Sequence, residues 1–144
     1  MHEHEVPISH EQVAAHVAGE LPELAGLEIV AIDGGGTVNA IYRIGSFVTA
    51  RFPLRYQNPD RMLVRLRKEK SAAAEFVLAC PIPAPKPLHI GSPGHGYPLP
   101  WATQSWLPGA TATPTSCDRA VLLASDLTDV LSHLRGWPTG GRLF

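Results

Sequence analysis

Residues 27–53, reading LEIVAIDGGGTVNAIYRIGSFVTARFP, limit what this chain can fold into more than any other stretch. Three runs rich in Ile, Val, Tyr and Phe, at 27–32, 40–44 and 47–52, are separated by Asp33-Gly34-Gly35-Gly36-Thr37-Val38-Asn39 and by Gly45-Ser46. β-branched and aromatic residues fit a pleated, half-buried surface, and Gly-Ser is a two-residue loop of the kind that closes a tight hairpin. The economical reading is a meander of three antiparallel strands. Three consecutive glycines leave backbone N–H groups unobstructed, and Arg51 adds a permanent cation on the third strand. That combination suits a polyphosphate.

The 144 residues, 44% apolar, are enough for one domain or one lobe of a larger architecture with a buried core. A formal charge of −1 gives no support to nucleic-acid binding, which calls for a basic surface. No apolar run is long enough to span a bilayer, so no membrane partner is expected. The acidic opening Met1-His2-Glu3-His4-Glu5 is unlike a basic signal peptide, and the expected location is the cytoplasm. Cys80 and Cys117 lack the spacing of a metal or redox motif and read as ordinary thiols.

Ahead of the meander, Ser9 and Gln12 have the spacing of a capping box, with Val13, Val17 and Leu21 following at helical intervals and Gly19 and Pro22 ending the helix. His2, His4, His10 and His16 crowd this region. A zinc site needs fixed ligands, however, and His2 and His4 lie in a terminal stretch prone to fraying.

After the meander, Asp60 is placed to cap a helix reaching about Ala79. On a helical wheel Met62, Leu66, Ala73, Phe76, Val77 and Cys80 share one stripe, Glu69 falls inside it, and Glu75 lies nearly opposite. A carboxylate on a buried face needs a cation, for which Arg51 is the natural source; at the stripe's edge it would instead reach water. The prolines from Pro81 to Pro87 enforce an extended connector. A second hairpin follows, with strands at 88–90 and 101–107 joined by a turn at 91–96, and Pro108-Gly109 breaks it. Thr115 and Asp118 are placed to cap a last helix with Leu123, Leu127, Val130, Leu131 and Leu134 on its apolar stripe and Gly136 at its end.

The glycine run is not a P-loop, because Gly36 leads to Thr37-Val38-Asn39 instead of Gly-Lys-Ser/Thr. Nor is it a dinucleotide fingerprint, since Asn39 replaces the third glycine and a strand follows. A kinase-type arrangement fits the order of elements: a glycine-rich hairpin over the phosphates, a cation on the third strand, and a helix glutamate holding that cation.

The segments GTVNAIYRI (36–44), VTARFP (48–53), Arg67-Lys68-Glu69, the proline run from Pro81 to Pro87, Gly96-Tyr97-Pro98 and SWLPG (105–109) resemble the N-terminal lobe of the aminoglycoside phosphotransferase family. The resemblance spans about residues 5–135 and implies an α+β, protein-kinase-like lobe. Its parts are a five-stranded antiparallel sheet with a packed helix, a short helix before it, and a hinge and one helix after it. The chain then divides into a nucleotide-binding lobe at 5–107 and a hinge, helix and tail at 108–144. The resemblance further implies that ATP is held by Gly34, Gly35, Gly36, Asn39, Arg51 and Glu69, with Gln104, Ser105, Trp106 and Leu107 approaching the adenine as the hinge. Arg51 departs from the family's lysine. The family's chemistry also needs a His-x-Asp loop and a metal-binding aspartate in a second lobe, and Asp33, Asp60, Asp118, Asp126 and Asp129 stand in no such motif. No catalytic residue and no metal ligand is therefore expected here, and magnesium is expected only if a second lobe is supplied. The expected activity is ATP binding without catalysis by this chain alone. The alternative is a non-catalytic interaction module that self-associates or binds the absent lobe through Leu127, Leu131, Leu134 and Trp106.

Overall fold

The computed structural model describes residues 5–32, 38–110, 113 and 120–138. Helices α1 (His10–Glu20), α2 (Pro59–Ala79) and α3 (Ala120–Arg135) accompany strands β1 (Ile29–Ala31), β2 (Asn39–Ile44), β3 (Val48–Pro53), β4 (Pro87–Gly91) and β5 (Trp101–Ser105). The strands form one antiparallel sheet in the order β1-β2-β3-β5-β4. This is the α+β, five-stranded architecture that the sequence leads one to expect.

The sheet is covered on both faces, and β3 at its centre shows why. Val48, Ala50 and Phe52 alternate with Thr49 and Arg51, so successive side chains go to opposite sides. The first set packs with Tyr42, Ile44, Tyr97, Leu99 and Trp101 against Val13 and Val17 of α1. On the other side Met62 and Leu66 of α2 pack on Ala102 and Ile90. Burying a Val or Leu side chain is worth about 1.5–3 kcal/mol, so α1 is a structural layer and not merely a leader to the sheet. Phe52 and Trp101 stack with ring centroids 4.9 Å apart, and buried Tyr97 donates its hydroxyl to Pro53 O at 2.6 Å.

Local chemistry sets the element ends. The capping box forms as expected: Ser9 Oγ accepts from Gln12 N–H at 3.2 Å and Gln12 Oε1 accepts from Ser9 N–H at 2.9 Å. In α2 the cap differs from expectation. Asn58, not Asp60, is the N-cap, its Oδ1 accepting from the N–H groups of Asp60 and Arg61, because Pro59 fills the first helical position where no N–H is needed. The apolar stripe of α2 holds at Met62 and Leu66 and is lost at Phe76, which is 43% exposed, while Ala79 is buried.

The loop between β2 and β3 has three residues, not two, because Ile44 pairs with Val48. Gly45 takes φ 56° and gives its N–H to Glu28 O, which leaves Phe47 outside the strand and 77% exposed. Strand β1 is shorter than expected. β5 ends at Ser105, where its N–H turns to Lys86 O. His95 and Gly96, both at positive φ, form the tip of the second hairpin's connection, closed by mutual Gly94 and Tyr97 hydrogen bonds. Gly136 follows α3 as its expected stop, whereas the caps expected at Thr115 and Asp118, Cys117, and the histidines His2 and His4 lie outside the described residues. No helix is long and apolar enough to cross a membrane among the described residues.

Candidate nucleotide cleft

Arg51 reaches the α2 side of the sheet because it is out of phase with Ala50 and Phe52. It meets α2 one turn beyond Leu66, at Glu69. Arg51 Nη2 lies 3.9 Å from Glu69 Oε2, and Arg65 Nε donates to Glu69 Oε1 at 2.8 Å. Glu69 is thus neither sealed in the core nor free. Its side chain is 39% exposed, at the edge of the buried stripe, and is shared between two guanidiniums. Arg51 Nε is buried and has no hydrogen-bond partner among the described residues. A buried donor left unpaired is costly.

Asn39, Arg51 and Glu69 line one cleft between β3 and α2, and Val38 at its margin connects to the segment that follows the three glycines. Gly34, Gly35 and Gly36 themselves lie outside the described residues. A second hollow continues along the same face past Arg51 and Glu69 to Gln104 of β5. Ser105, Trp106 and Leu107 line neither hollow. Gln104 O accepts from Thr49 Oγ1 at 3.3 Å, Ser105 Oγ accepts from Lys86 N–H at 2.8 Å, and Trp106 N–H donates to Phe47 O at 2.7 Å. These bonds tie the end of β5 to the proline-rich connector and to the first hairpin.

The cleft also contains Arg55, Gln57 and Arg65, which the sequence reading did not single out. Arg65 was legible as the helical i, i+4 partner of Glu69. Arg55 joins the cleft only because β3 ends beside α2. Among the described residues no group of three or more His, Cys, Asp or Glu side chains is arranged to hold a metal.

On the opposite face lies a polar cluster that no sequence motif announces. Glu20, at the end of α1, accepts from Ser92 N–H at 3.0 Å, from Trp101 Nε1 at 3.3 Å and faces His89 Nε2 at 3.2 Å. Burial opposes its charge, but these partners outweigh it and hold the carboxyl below its ordinary 4.5. His16, buried beside it, is held below its ordinary 6.5 by burial first and by His95 second, partly offset by Glu20. Burial likewise pushes the Tyr97 phenol up. The cluster pins the 91–96 connection to α1 and so supports β5 from behind.

A family model described as the phosphotransferase enzyme family matches residues 28–144. No curated protein matches the chain. Among solved structures, the GDP complex of a point mutant of aminoglycoside 2'-phosphotransferase IIIa aligns with a TM-score of 0.72 at 17% identity. It covers 92% of this chain and 43% of that one. The wild-type GDP complex gives 0.70 at 17%, covering 92% and 44%. A complex of APH(2")-IIIa with GDP and kanamycin gives 0.65 at 18%, covering 89% and 42%. At this identity the likeness establishes the fold, and the chain spans less than half the length of those enzymes.

Proposed function

Since the chain belongs to the phosphotransferase enzyme family, we propose that it is the nucleotide-binding lobe of a small-molecule phosphotransferase, taking ATP in the cleft between β3 and α2. The observation that carries this reading is the buried, unpartnered Arg51 Nε beside Glu69, at a cleft bordered by the strand that follows the glycine run. A phosphate oxygen accepts from guanidinium in a planar, charge-assisted geometry, and Glu69 fixes the guanidinium from behind. The glycine N–H groups of Gly34, Gly35 and Gly36 and the amide of Asn39 add donors for the same anion. Along the second hollow, Gln104 leads to the hinge. Ser105 and Trp106 already spend their N–H groups within the protein, so base recognition there falls to Trp106 O and Leu107 N–H.

The similar solved structures hold GDP, which supports a nucleotide ligand without selecting the base. The 144 residues contain no His-x-Asp motif. Phosphoryl transfer and magnesium binding therefore call on residues beyond these, and the chain by itself is expected to bind nucleotide without turnover. Calorimetric titration with ATP and with GTP, each with magnesium, tests the reading: a correctly folded sample that gives no saturable heat with either removes it.

A second reading, a non-catalytic interaction module, is favoured by α3, where Leu123, Leu127 and Leu131 remain about half exposed. The occupant of that face is a second copy of this chain or the complementary lobe. Sedimentation showing a clean monomer at high concentration counts against self-association.

A further inference from the structure

The cleft holds more positive charge than a single ion pair needs. Arg51, Arg55 and Arg65 all line it, and Glu69 is the one carboxylate among its described lining residues. We propose that Arg55 and Arg65 are direct polyphosphate ligands beside Arg51, and that the three guanidiniums let this lobe bind a polyphosphate chain without a divalent cation. The inference extends the nucleotide reading of the same cleft.

A surface i, i+4 pair accounts for Arg65 taken alone. It does not account for Arg55, whose guanidinium forms no ion pair or hydrogen bond among the described residues, or for the unpaired Nε of Arg51. The base of Arg55 is fixed in place. Leu54 N–H donates to Val38 O at 2.8 Å, Val6 N–H donates to Leu54 O at 2.7 Å, and the backbone of Arg55 pairs with that of Glu5 in an isolated antiparallel β-bridge. The side chain therefore leaves a pinned backbone and enters the cleft beside Val38 and Asn39, where β2 begins. Arg65 approaches from the helix side, so guanidiniums stand on both walls. Each can present paired N–H groups to phosphate oxygens, which is the work a bridging metal ion otherwise does.

The distribution of charge along the sequence agrees. Residues 1–33 contain seven carboxylates and no lysine or arginine, whereas residues 43–70 contain eight lysines and arginines and two carboxylates. The net charge of −1 thus conceals an acidic α1 layer and a basic α2 layer, and the field at the cleft draws in anions.

Calorimetric titration of sodium tripolyphosphate in EDTA, alongside ATP, tests this on wild type, Arg55→Gln, Arg65→Gln, Arg51→Ala and the exposed control Arg61→Gln, each checked for folding by circular dichroism. Tripolyphosphate binding in EDTA is expected, weakened about tenfold or more in Arg55→Gln and in Arg65→Gln, as loss of a charge-assisted bond requires, and unchanged in Arg61→Gln. Binding only when magnesium is added overturns the proposal, as does wild-type affinity in both Arg55→Gln and Arg65→Gln. ATP binding that needs Arg51 but neither Arg55 nor Arg65 overturns it while leaving the nucleotide reading in place. Tripolyphosphate bound through these arginines while ATP is not bound supports it and removes the nucleotide reading.

Discussion

Glu69 Oε2 lies 3.9 Å from Arg51 Nη2, at the outer edge of ion-pair distance, while the other carboxylate oxygen is held closely by Arg65. The glutamate therefore leans toward the helix partner, and the strand cation has an Nε without a partner among the described residues.

Glu69→Gln follows directly from this. Both ion pairs are substantially exposed, and such pairs contribute about 0–1 kcal/mol to stability, so the melting midpoint is expected to move little. Nucleotide affinity is expected to fall about tenfold, the usual scale for loss of a charge-assisted contact. Calorimetry and thermal melting on the same sample check both halves.

Glu20→Ala is expected to do the reverse. Removing this acceptor leaves the indole N–H of fully buried Trp101 unpaired, which costs about 1–3 kcal/mol, whereas the N–H of exposed Ser92 can turn to water. Urea denaturation should show a large drop in midpoint, reported by Trp101 fluorescence. A midpoint unchanged from wild type would show that the cluster does not brace β5.

The same cluster sets a pH dependence. Both His16 and Glu20 are held below their ordinary values, so in each case the unfolded chain takes up a proton before the folded protein does. Stability from His16 is complete above pH 6.5 and is lost as pH falls below it, and Glu20 adds a second loss as pH falls below 4.5. Denaturation free energies measured from pH 8 to pH 4 should decline on acidification, and His16→Gln should flatten the upper part of that decline. A profile identical to wild type in His16→Gln would refute the assignment.

Gly91→Ala tests the packing of β4 on β5. A Cβ at residue 91 would stand 2.1 Å from the Trp101 ring, which is fully buried and stacked on Phe52. Overpacking of this kind costs about 1–3 kcal/mol, sometimes more. Chemical denaturation and the near-ultraviolet circular dichroism of Trp101 should both report it.

How much of this was legible in the sequence depends on the distance over which each feature is written. The meander follows from residue type and glycine placement within 27 residues, and the meeting of Arg51 with Glu69 follows from strand alternation and helical phase. Local competition was harder to read. Asp60 has the right chemistry for a cap, but Pro59 fits the first helical position and moves the cap to Asn58. Gly45-Ser46 has the composition of a two-residue loop, yet the bond from Gly45 N–H to Glu28 O sets a three-residue one. In the Glu20 cluster only His16 stands at a helical i, i+4 spacing; His89, Ser92 and Trp101 come from remote segments, and no spacing within one segment encodes their meeting. Arg55 entered the cleft for the same reason, through where β3 stops and not through any motif around it.

The central claim is that Arg51 and its cleft hold a nucleotide, and the most direct measurement is calorimetric titration of ATP into wild type and Arg51→Ala, both shown to be folded by circular dichroism. The account predicts saturable binding by wild type and at least about a tenfold loss in Arg51→Ala. Equal affinity in the two proteins, or no binding by folded wild type, would contradict it.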